Sequence, residues 1–118
     1  MKKFEIVKEH KDFDNIINTG KYIKGKYFVI YNKDSNNKRF GIAVSKKFGS
    51  AVERNRIKRQ TRMILENNKN LFKNGYDYII IVKKNAKNIK YKELEEDILN
   101  IIKGWLNEQK NKKGGIKI

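Results

Sequence analysis

The sequence predicts an α+β fold: an α/β sandwich in which a small mixed four-stranded sheet packs with helices in the order α-β-β-β-α-β-α and contains a βαβ crossover. Three observations carry the helices, three of the four strands and the crossover. Apolar residues recur at i, i+3, i+4 spacing in separate stretches near the start, in the middle and towards the end of the chain. Short runs rich in aromatic and β-branched residues lie between those stretches. One of the runs, Tyr78-Ile79-Ile80-Ile81-Val82, does not alternate with polar residues, which fits a strand covered on both faces, as in a parallel crossover.

In chain order, Phe13, Ile16 and Ile17 form the apolar stripe of a short helix over 11–19 that Gly20 ends. Residues 26–31 (KYFVIY) and 39–46 (RFGIAVSK) read as strands joined by the polar loop 32–38, and so as a hairpin. The second of these directs Phe40, Ile42 and Val44 to the core and leaves a small, polar face of Gly41, Ala43, Ser45 and Lys47. Gly49 then breaks the strand, and Ser50 followed three residues later by Glu53 makes a capping box at the head of a helix over about 51–66. On that helix Ile57, Thr61, Ile64 and Leu65 gather on one side; Asn55, Lys58, Arg59 and Arg62 gather on the other, with Arg54 at the border and Arg56 on the far flank. Strand 39–46, helix 51–66 and strand 77–83 make the βαβ unit. The last helix, about 90–109, carries Leu94, Ile98, Ile101, Ile102, Trp105 and Leu106 at helical spacing. Its acids Glu93, Glu95, Glu96 and Asp97 read as surface residues favoured by the helix dipole. Residues 1–110 form one domain, and 111–118 a flexible basic tail.

The chain has 118 residues and a formal net charge of +16, so its field gathers polyanions. No apolar run approaches the ~18 residues needed to span a membrane, and the lysines at positions 2 and 3 are not followed by a signal-like apolar stretch. With no cysteine and a single histidine, His10, there is no disulfide, thiolate metal site or Cys-His dyad, and a cytoplasmic setting is expected. Lysine alone can reflect compositional bias. Arginine cannot be dismissed in that way: of five in the chain, four fall in Arg54-Asn55-Arg56-Ile57-Lys58-Arg59-Gln60-Thr61-Arg62. A planar guanidinium grips phosphate bidentately and stacks on bases, which an ammonium does not. The plain alternative is a solvated basic helix face.

The stretch from Phe40 to Arg62, FGIAVSKKFGSAVERNRIKRQTR, resembles the signature of the bacterial ribonuclease P protein subunit, G-x-x-V-S-K-K-x-G-x-A-V-x-R-N-R-x-K-R-x-x-R, and the likeness extends from about Phe13 to the final helix. The resemblance implies a left-handed βαβ crossover and a role as the small basic partner of a large catalytic RNA. That RNA removes the 5′ leader of precursor tRNA with Mg2+ held mainly by the RNA, and no catalytic residue comes from the protein. The expected contacts with the catalytic RNA are Lys46, Lys47, Arg54, Asn55, Arg56, Lys58, Arg59 and Arg62. A groove over the small-residue strand face would take the leader, with Phe13, Ile17, Val29, Tyr31, Ala43 and Ser45 as its lining; an aromatic found in many relatives is replaced here by Ile17. Core packing is the simpler meaning of Phe13 and Ile17. A ribosomal or other structural RNA-binding protein of similar fold remains an alternative. A DNA-binding protein would place helix 51–66 in a major groove, but no partner helix directly precedes it. A protein-only nuclease would need carboxylates paired beside an acid or base, and none is evident.

Overall fold

The computed structural model describes residues 6, 7 and 9–116, with side chains as far as Gln109. The elements are α1 (His10–Thr19), β1 (Lys21–Lys24), β2 (Phe28–Asp34), β3 (Arg39–Val44), α2 (Ala51–Asn67), β4 (Tyr76–Val82) and α3 (Tyr91–Ile116), in the expected order α-β-β-β-α-β-α. They form one four-stranded sheet in the spatial order β1-β2-β4-β3. Three strands had clear boundaries in the sequence. The fourth is the short edge strand β1, whose residues KYIK are too polar to announce it.

Strands β2 and β3 are not a hairpin. β4 lies between them, antiparallel to β2 and parallel to β3, and the hairpin partner of β2 is β1. The most apolar strand takes the central position, where both faces are covered: Tyr78, Ile79 and Ile80 are fully buried. The βαβ unit predicted over 39–83 is present, since β3 and β4 pair directly and α2 connects them.

The sheet has two unequal faces. On one, Phe28, Ile30, Phe40, Tyr78, Ile80 and Val82 pack against Ile57, Ile64 and Leu65 of α2 and against Leu94, Ile98, Ile102 and Trp105 of α3. Phe40, Phe72 and Tyr78 meet ring against ring, with centroids 5.1–5.4 Å apart. Burial pushes the Tyr78 phenol above its ordinary value, and the hydroxyl donates to the carbonyl of Lys73. The second face carries a smaller cluster of Val7, Ile16 and Ile79, with Phe13, Ile17, Tyr31 and Ile81 partly buried around it. Among the described residues only α1 and the segment at Ile6 and Val7, whose Val7 N–H donates to the Phe40 carbonyl of β3 at 3.0 Å, pack there, so part of that face stays open.

Gly20 ends α1 in an extended conformation. A side chain there would run into the carbonyl oxygens of Ile16 and Asn32, so close approach, rather than a left-handed turn, calls for glycine. Asp97 corrects the reading of the acids of the last helix as surface residues. It is 8% exposed, and its carboxylate accepts from the backbone N–H groups of Lys26 at 2.7 Å, Tyr27 at 2.8 Å and Phe28 at 3.1 Å. It thereby closes the turn from β1 into β2. Glu95 accepts from Asn68 of the loop after α2, while Glu93 and Glu96 are exposed. The backbone of α3 continues through the expected tail boundary to Ile116. No proline interrupts it, and each added residue extends a helix already nucleated. Residues 1–5 and 117–118, which include the start of the sequence and the end of the expected tail, lie outside the described residues.

Candidate nucleic-acid interface

The first candidate surface is built by the head of α2. The Ser50 hydroxyl accepts from the Glu53 N–H at 3.2 Å while the Glu53 carboxylate accepts from the Ser50 N–H at 3.0 Å, the predicted capping box. The bond from the Ser50 backbone, and then the contact with Lys87 at 3.1 Å, hold the Glu53 carboxyl below its ordinary range. With the start fixed, the helix phase follows: Ile57, Thr61, Ile64 and Leu65 are buried as predicted, and Thr61 returns its hydroxyl to the carbonyl of Ile57 at 2.7 Å.

Asn55, Arg56, Arg59 and Arg62 are exposed, Lys58 is half-buried, and none of the five side chains has a hydrogen bond or ion pair with another described residue. The charges of Arg56, Lys58, Arg59 and Arg62 are therefore available to an external anion. Arg54 differs. Its guanidinium donates to the carbonyl of Gly49 at 2.8 Å and that of Lys46 at 3.4 Å, tying the turn Lys46–Phe48 to the helix. Lys46 and Lys47 are exposed on that turn, which Ser45 caps by accepting from the Lys47 N–H.

The second candidate surface is the open part of the sheet. Register fixes two rows of side chains on this face: Lys24, Val29, Ile81 and Ala43 in one, Tyr22, Tyr31, Ile79 and Gly41 in the next. Helix α1 lies over the second row. A Cβ placed on Gly41 would come 2.6 Å from Phe13 Cζ, so the Phe13 ring rests on bare backbone. Phe13, Ile17, Val29, Tyr31 and Ala43 are all half-buried, and Ser45 is exposed at the rim. Of the expected lining residues, Phe13, Ile17 and Tyr31 gather around the small cluster, and Val29 and Ala43 lie in the adjoining row; the strip of sheet they leave beside α1 is the candidate groove. Phe13 and Ile17 pack on the small cluster, as the simpler reading has it, and stand beside the candidate groove.

The two surfaces adjoin. A hollow over the outer edge of β3 is lined by Phe13, Gly41, Ile42, Lys58 and Arg62, which joins the groove to the basic face of α2. On the other flank of α1, Arg39 donates to both oxygens of Asp77, at 3.1 and 2.7 Å, and to Asp12 of α1 at 3.4 Å. The hydrogen bond with Asp77 raises the Arg39 pKa further. This pairing keeps Asp77 of the sheet and Asp12 of α1 from projecting a negative field and pins that helix to the sheet. Sequence reasoning missed Ile79 and Ile81 as groove floor; the unalternating run 78–82 was the signal, since one of its two covered faces had to be this one. It also missed Tyr22, whose place depends on a strand that could not be bounded. His10 is exposed at the start of α1, and Tyr76 packs edge-on against Trp105 at 4.9 Å, as expected for ordinary surface and core roles.

Residues 1–105 match the family model described as Ribonuclease P. The ribonuclease P protein component of Streptococcus agalactiae serotype III is 40% identical over 105 residues, covering 87% of this chain and 95% of the relative. That of Mycoplasma mycoides subsp. mycoides is 42% identical over 106 residues, covering 87% and 97%. Among solved structures, the Thermotoga maritima RNase P protein superposes with a TM-score of 0.77 at 31% identity, covering 84% of this chain and 96% of that one. The Staphylococcus aureus RNase P protein superposes at 0.74 with 33% identity, covering 84% and 93%. With its fold, its arginine-bearing helix and its sequence all agreeing, the chain belongs to the ribonuclease P protein family.

Proposed function

We propose that this protein is the basic subunit of ribonuclease P. In this role it binds the catalytic RNA and the 5′ leader of precursor tRNA, and promotes the endonucleolytic cut that leaves the mature tRNA 5′ end. The observation that carries the reading is the hollow at the β3 edge, where Phe13 and Gly41 of the open sheet face meet Lys58 and Arg62 of the exposed basic face of α2.

In this reading Arg56, Arg59, Arg62 and Lys58 meet phosphates of the folded catalytic RNA, with Lys46 and Lys47 extending the contact along the adjoining turn. Arg54 orders that turn and offers its remaining donors, and Asn55 reads a base edge or a sugar. The leader lies across Ala43, Val29 and Tyr31, between Phe13 and Ile17 on one side and the Ser45 hydroxyl at one end, with bases stacking and apolar cover replacing sequence readout. The protein contributes binding and charge. By offsetting phosphate repulsion between leader and catalytic RNA, it lets the complex form at physiological magnesium.

Among the described residues no three Asp, Glu, His or Cys side chains converge to hold a metal ion. Asp77, Asp97 and Glu53 are committed to internal bonds. In the proposed role Mg2+ is held by the RNA, and the chemical step belongs to the RNA. No described helix is long and apolar enough to cross a membrane; the proposed role in precursor-tRNA processing is what places the protein in the cytoplasm.

The test is reconstitution with the cognate catalytic RNA at low magnesium. Addition of the protein is expected to raise the rate of leader removal, with no cleavage by protein alone. Tight RNA binding without faster cleavage would instead identify a structural RNA-binding protein.

A further inference from the structure

We propose that Tyr22 and Lys24 on the edge strand β1 form an additional nucleotide subsite that lengthens the groove beyond β2; this rests on the leader reading above. Tyr22 is 52% exposed and is the one aromatic among the large exposed apolar side chains of the described residues. Aromatic residues favour strands, and an edge tyrosine can owe its presence to that alone. Its direction argues for more. Tyr22 is the direct cross-strand partner of Tyr31, so both rings project from the groove face, and Lys24 projects from the same face opposite Val29.

The geometry suits a single-stranded nucleic acid. The Tyr22 and Tyr31 rings lie with centroids 5.2 Å apart and planes inclined by 37°, so Tyr31 steadies Tyr22 without covering it. The Lys24 ammonium stands 5.9 Å from the Tyr22 ring centroid, exposed and within cation–π range, where a phosphate next to a stacked base would find it. Neighbouring strands are spaced by ~4.8 Å, so the path from Ala43 over Ile81 to Val29 covers ~10 Å and the step to β1 adds about half as much again. That added width, with one exposed ring and one cation, is room for one further nucleotide held by stacking and charge, without base-specific readout.

The experiment uses the holoenzyme reconstituted from the full chain and its catalytic RNA, and measures binding of precursor tRNAs whose leaders are shortened one nucleotide at a time. Affinity is expected to rise with leader length to a plateau. With Tyr22→Ala the plateau should come one nucleotide earlier, and affinity for the longest leaders should fall about five- to tenfold, the lower part of the range for loss of one stacked base. Tyr22→Phe and Tyr22→Trp should keep the original plateau, and Lys24→Gln should lower the salt slope for long leaders by ~0.7. The proposal is overturned if Tyr22→Ala leaves the plateau in place, if Tyr22→Leu preserves it, or if mature tRNA loses affinity equally. Tyr31→Ala in the same series separates the two levels of the argument. If it does not weaken precursor relative to mature tRNA, the leader groove itself is wrong; if it does while Tyr22→Ala shifts nothing, only the subsite fails.

Discussion

The ring of Phe13 rests on the backbone of Gly41, so that the wall of the groove and its floor touch without an intervening side chain. Gly41→Ala would place a methyl group where the ring now sits and lever α1 outward. The expected cost is roughly 1–3 kcal/mol of stability, the usual range for overpacking. Selective binding of precursor over mature tRNA should weaken more than binding of the catalytic RNA. Denaturant unfolding and the two binding measurements, made on the same preparation, check this.

Asp97 serves three backbone donors at once. Its replacement by alanine leaves the N–H groups of Tyr27 and Phe28 buried without an acceptor, each such group costing about 1–3 kcal/mol. Asp97→Ala is therefore expected to destabilise the protein by roughly 3 kcal/mol. Hydrogen exchange should accelerate first at residues 26–28. Asp97→Asn, which keeps one acceptor oxygen, should fall between the two.

The free guanidinium groups of α2 make a different prediction. Replacing Arg56, Arg59 and Arg62 together by alanine should leave the melting temperature nearly unchanged. Affinity for the catalytic RNA should drop, and the salt dependence should flatten by about 0.7–0.9 in log–log slope for each phosphate contact removed. Arg54→Ala should instead cost stability as well as affinity, because its guanidinium anchors the carbonyls of Gly49 and Lys46. Salt titrations of binding with parallel thermal melts distinguish the two behaviours.

The capping box supplies a pH dependence of known sign. Glu53 has a lowered pKa in the folded protein, below an ordinary value of 4.5. Its carboxylate therefore adds stability that is fully present above that ordinary value and is lost as pH falls through the lowered one. The melting-temperature gap between the wild type and Glu53→Ala should be constant from pH 7 to about 5 and close on further acidification. A gap that persists at pH 2 would contradict the role of the ionised group.

Local signals made much of this molecule legible. The Ser50–Glu53 box set the phase of α2, and once phase was known the buried Ile57, Thr61, Ile64 and Leu65 and the outward arginines followed from 3.6-residue periodicity. The alternation in 39–46 likewise separated Phe40 from Gly41. What local signals do not encode is pairing between strands far apart in sequence. The adjacency of 26–31 and 39–46 suggested a hairpin, yet the apolar strand β4 enters between them because only the centre of the sheet covers both its faces. Asp97 was misread for a related reason: its partners lie about seventy residues upstream, and an acid in the early turns of a helix looks the same whether it faces water or a distant turn. Tyr22 was missed because β1 has four residues and little apolar content.

The dependence of the first hairpin on Asp97 has a consequence for synthesis on the ribosome. Lys24, Val29 and Tyr31 leave the exit tunnel early, but the acceptor that shuts their turn and the Trp105 side of the core emerge only after most of the chain has been made. The groove is thus finished late.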